Sequence, residues 1–84
     1  MDSKAVAFAE EAITAIGGSD VATARTSIAQ ACELDRSLAA LADAVYLACA
    51  ELESDGTVST STWNTLGDAV GPGPLLAVVE ANRH

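Results

Sequence analysis

The sequence predicts an all-α protein: a small irregular bundle of four to five helices. Three observations carry that expectation. Alanine supplies 18 of the 84 residues, and it is the best helix former because fixing it costs no side-chain entropy. Apolar residues recur at helical spacing in successive segments, each bounded by glycine, proline or a small polar residue. One short stretch, Thr57-Val58-Ser59, reads as extended, and nothing else in the chain reads as its partner strand.

The first helix is expected over residues 3–16. Asp2 or Ser3 can accept from the free N–H groups of its first turn. Ala5, Ala9 and Ile13 lie beside Phe8, Ala12 and Ile16, which makes a broad apolar face. Gly17-Gly18 is read as its stop, because glycine takes the left-handed conformation without strain. Ser19 is then read as the cap of a second helix over residues 20–34. Val21, Ala24, Ile28 and Ala31 keep one face of it, with Cys32 beside them.

The third helix, residues 36–53, has the strongest pattern. Leu38, Leu41, Val45, Cys49 and Leu52 form one stripe. Ala40, Ala44, Leu47 and Ala50, with Tyr46 near them, make the other side apolar too. A helix apolar on two sides is normally sandwiched, so this one is expected to be central. Ser54-Asp55-Gly56 breaks the pattern. A fourth helix over residues 60–70 carries Trp63, Leu66 and Val70 and closes at Gly71-Pro72-Gly73. Pro74 suits the first turn of a fifth helix over residues 74–82, with Leu75, Leu76, Val78 and Val79.

Eighty-four residues fit a single domain, 1–84, burying about 60–65% of the surface its unfolded form exposes. Apart from alanine and two cysteines, only 22 residues are apolar, so the core is thin. Twelve acids face four bases, a net charge of −8. That field repels phosphate backbones and anionic lipid, which argues against nucleic acid and membrane as partners. The longest mostly apolar stretch, residues 38–50, contains Asp43 and is too short to span a bilayer. No basic region followed by an apolar run marks a signal peptide. Cys32 and Cys49 are expected as reduced core thiols of a cytoplasmic protein. The alanine content points to a GC-rich bacterial genome.

Residues 17–36, GGSDVATARTSIAQACELDR, resemble the second helix and flanks of a tetratricopeptide repeat. Ala24 and Ile28 stand at the repeat's A-x3-F step, Ala31 at the next small position, and Glu33-Leu34-Asp35 at its exit. Upstream, Phe8 and Ala12 stand at the large and small packing positions of the first helix. The pattern departs at Glu11, Ala15, Ser19 and Arg36. The resemblance spans about residues 5–38 and implies a helical hairpin packed on a third helix. It implies no peptide groove, because about three repeats are needed to build one.

Chemistry is sparse. Glu51, Glu53 and Asp55, followed by Gly56, match the first, third, fifth and sixth positions of a calcium loop. The twelfth position is Thr62, which cannot give a bidentate carboxylate. A metal- or small-molecule-responsive regulator built on residues 51–55 is therefore the alternative reading, and no cofactor is expected. His84 is the only histidine and the last residue, so no catalytic triad or zinc set can be assembled around it. Residues 71–74, Gly-Pro-Gly-Pro, lack the ending of a phosphate loop. These features point away from an enzyme and toward a protein-interaction module, either homodimeric or an accessory subunit. Leu75, Leu76 and Val79 on the fifth helix, together with Trp63, are its candidate contact residues. If the fourth helix covers the third, the fifth is left with an apolar face at the edge of the bundle.

Overall fold

A computed structural model describes residues 3–83. Among them are five α-helices, one 3-10 turn and no strand. The first helix, α1, spans Ser3–Gly17. It turns one face inward: Ala5, Ala9, Ala12, Ile13, Ala15 and Ile16 are all buried. The second, α2, spans Val21–Leu34 and packs back along α1 as a helical hairpin. Alanines on α1 and Ala24 and Ala31 on α2 let the two axes approach closely. Ser27 is buried on that seam, and its hydroxyl donates to Glu11 Oε1 at 2.9 Å, which satisfies it there.

The corner between α1 and α2 differs from the expected one. Gly17 is the last residue of α1, and the left-handed position is taken by Ser19, with φ +60°. The Ser19 N–H donates to the Ile16 carbonyl at 3.1 Å, and the Asp20 N–H to that of Ala15 at 2.8 Å. This pair of bonds is a Schellman motif with serine in place of the usual glycine. Asp20, not Ser19, caps α2: its carboxylate accepts from the Thr23 N–H at 3.2 Å. Gly17 has a different role. A Cβ there would collide with the Asn82 side chain, so glycine lets the end of α5 lie against α1.

The third helix begins later and ends later than its pattern predicts. Asp35 accepts from the N–H and the hydroxyl of Ser37, at 3.0 and 2.6 Å. That local bonding tightens Arg36–Leu38 into a 3-10 turn. The helix α3 then runs over Ala39–Asp55 and closes at Gly56, in the left-handed region at φ +76°. Ser59 caps α4, Thr60–Val70, and Pro74 opens α5, Pro74–Asn82. The link between α3 and α4, including Val58, forms no strand.

The core joins α1, α2 and α3 to Trp63 and Leu66 of α4 and Leu75 and Val79 of α5. The chain closes on itself, because α5 packs against α1 as well as α4. The bundle measures 33 × 23 × 18 Å. No helix among the described residues is long and apolar enough to cross a membrane. Asp2 and His84 lie outside the described residues.

Two expectations about packing are corrected. The expected stripe of α3 does face inward, with Leu41, Val45 and Cys49 fully buried. Of the other side only Ala44 is covered: Ala40, Tyr46, Leu47 and Ala50 are exposed, so α3 is no sandwiched helix, and α2, α4 and α1 pack on the stripe side and its flanks. The helix α5 is no uncovered edge element either. Its return to α1 buries Leu75 and Val79, with 5% and 0% of their surfaces exposed.

Candidate functional site

The sequence-predicted contact residues do not form a surface. Trp63, Leu75 and Val79 are buried, and Leu76 is half-buried with a methyl group lying toward Gly67 of α4. Trp63, Leu75 and Val79 belong to the shared core that holds α4 and α5 to the α1–α3 platform.

The three acids read as a weak calcium loop stand on the last turns of α3, which continues to Asp55, so no loop forms there. Glu51 Oε1 accepts the Ser59 N–H at 2.8 Å, and its other oxygen accepts the Thr62 hydroxyl. Ser59 Oγ in turn accepts the Thr62 N–H at 3.2 Å and donates to Thr62 Oγ1 at 3.1 Å. The Ser59 N–H and then the Thr62 hydroxyl hold the Glu51 carboxyl below its ordinary range. Glu53 pairs with Arg25 of α2, and Asp55 accepts from Ser54 beside it. Each acid thus has a separate partner, and the three do not converge. Among the described residues, no group of three or more metal-ligating side chains of this kind is brought together.

Cys32 and Cys49 are free thiols, but they are not equivalent. Cys49 is fully buried, and burial raises its pKa, which keeps it as an unreactive thiol. Cys32 is half-buried and opens into a shallow groove with Ala29, Glu33, Arg36 and Tyr46.

The feature that the sequence pattern placed inside is the outer face of α3. Ala39, Ala40, Asp43, Tyr46, Leu47 and Ala50 are all exposed on it. Leu47 keeps 47% of its surface exposed and Tyr46 42%. These are two of the three exposed large apolar side chains among the described residues; Leu34 is the third. The strip has one charge, Asp43, in the whole run from Ser37 to Ala50. Its apolar spacing was visible in the sequence. Which of the two apolar sides of α3 stays open was not, because that depends on where α4 and α5 pack. No family model, no curated protein and no solved structure matches this chain.

Proposed function

We propose that this chain is a small, non-enzymatic protein-interaction module of the cytoplasm that docks partners through the outer face of α3. The observation that carries the reading is the strip of Ala40, Tyr46, Leu47 and Ala50, exposed on a helix whose opposite side is the core. A half-exposed leucine beside a half-exposed tyrosine, flanked by alanines, is the composition of a helix-docking surface. The α1–α2 hairpin, resembling a tetratricopeptide helix pair, is the platform behind that strip. The two free thiols accord with a reducing compartment.

The test is site-specific photo-crosslinking in cells that produce the full chain. A photoreactive residue replaces Leu47 in one variant and the exposed Thr14 of α1 in another. A discrete cross-linked product from position 47, absent from position 14, is expected. No product from position 47 would remove the proposed surface.

A further inference from the structure

We infer that a cavity between the α1–α2 corner and the α3–α4 link is a binding site for a small neutral molecule. Its ligand has an apolar body and one hydrogen-bond acceptor, which takes the indole N–H of Trp63. The cavity has a volume of about 110 Å³. Ile16, Leu52, Val58 and Trp63 give it apolar walls, and the exposed Ser19 and Thr57 stand at its rim. It borders the inward stripe of α3 at Leu52 and is separate from the exposed strip of Tyr46 and Leu47.

Trp63 carries the inference. Only 4% of its surface is exposed, and the rest is packed in the core. No acceptor among the described residues takes its indole N–H. Yet no side-chain nitrogen or oxygen among them is both sealed from solvent and without a partner. The N–H therefore occupies the small part of Trp63 that solvent reaches, and the cavity that Trp63 lines supplies that access. A buried tryptophan usually finds a protein acceptor for this donor. Here the donor is left for a molecule in the cavity. The rim adds a second sign. Ser19 is held at φ +60°, where glycine would serve without cost. Backbone outliers of this kind cluster at ligand sites.

Size and charge define the ligand. An apolar cavity of about 150 Å³ accepts benzene, so this smaller one holds a molecule of about six heavy atoms. No base lines it, and Asp20, Glu51 and Asp55 each adjoin a lining residue in the chain. An anion is repelled by that field. A cation would lose its hydration against apolar walls without a buried counter-charge. A neutral ring or short chain with one carbonyl or ether oxygen meets both conditions. Apolar walls with a few polar groups are the ordinary make-up of a small-molecule site.

Trp63 is the only tryptophan, so the isotope-labelled full chain gives a single indole N–H resonance. Cyclopentanone is the probe. Cyclopentane, which lacks the acceptor, and butyrate, which carries a charge, are the controls. Cyclopentanone is expected to shift the indole resonance saturably, with the methyl resonances of Leu52 and Val58 moving in step. Cyclopentane leaves the indole resonance in place, and butyrate leaves all three. Val58→Phe fills the cavity and Thr57→Phe closes its rim. Either variant, shown to be folded by circular dichroism, loses the saturable shift.

No shift, or one that grows linearly over the whole titration, overturns the site. An equal indole shift with cyclopentane overturns the contact to the N–H, and equal saturation by butyrate overturns the selection for a neutral ligand. A folded variant that binds cyclopentanone as the parent does puts the probe elsewhere and overturns the cavity as its site. If one variant fails to fold, the other decides; if both fail, the wall resonances of the parent decide.

Discussion

Ser19 and Asp20 divide the work of one corner in a way that neither residue type announces. Serine is a frequent N-cap, but here it holds the left-handed position of the motif that ends α1. A residue with a Cβ pays a conformational cost there that glycine does not, about 1 kcal/mol. Ser19→Gly is therefore expected to raise stability by about 1 kcal/mol in chemical denaturation. If Ser19 were the cap, the same change would lower stability by a few tenths. Asp20→Ala removes the carboxylate that accepts from Thr23 and is expected to lower stability in the same denaturation measurement. Hydrogen bonds from Thr23 hold the Asp20 carboxyl below its usual range, as expected of a cap that works as the anion.

At the scale of elements, the join of α3 to α4 is held by Glu51. Its bonds to Ser59 and Thr62 set the direction in which α4 leaves, and so the placement of Trp63 against the core. Glu51 is lowered in the folded state relative to its unfolded value. Its contribution is therefore present above the ordinary carboxylate range and is lost as pH falls through the folded value. Glu51→Gln keeps the shape and removes the charge. At pH 7 the variant is expected to be less stable by about 1 kcal/mol or less, the usual gain of a charged acceptor discounted for its partial exposure. Below the carboxylate range the difference should shrink, because the parent then loses the same charge. Denaturation curves at neutral and acid pH check both parts. A difference independent of pH would assign the corner to packing instead.

For the whole molecule, stability rests on few large side chains among many alanines. Leu41 has no exposed surface and lies in the first turn of α3, on its inward stripe. Leu41→Ala is expected to cost about 2–5 kcal/mol, for the lost transfer energy and the cavity left behind. In a chain of this size that lowers Tm by about 10 °C or more. A calorimetric Tm unchanged by the substitution would contradict the burial of α3's inner face. The closure of the chain matters at this scale as well. Arg83 donates to Asn64 Oδ1 at 2.6 Å, tying the end of α5 to α4, while Leu75 and Val79 are buried in the shared core.

Much of this architecture is local and was legible in the sequence. Five helical segments, the breaks between them to within about two residues, and the proline opening α5 follow from propensity, periodicity and turn chemistry. The inward stripe Leu41, Val45 and Cys49 followed from period alone. What the sequence could not determine was which apolar side of α3 would be covered, and where the short α5 would go. Both depend on contacts between residues far apart in the chain. Leu75 and Val79 read as a free face until α5 returns to α1, where Gly17 leaves room for Asn82. Tyr46 and Leu47 read as core until α4 and α5 are both spent elsewhere. Periodicity defines how many apolar faces a helix has; only the packing of the other helices decides which of them remains open to a partner.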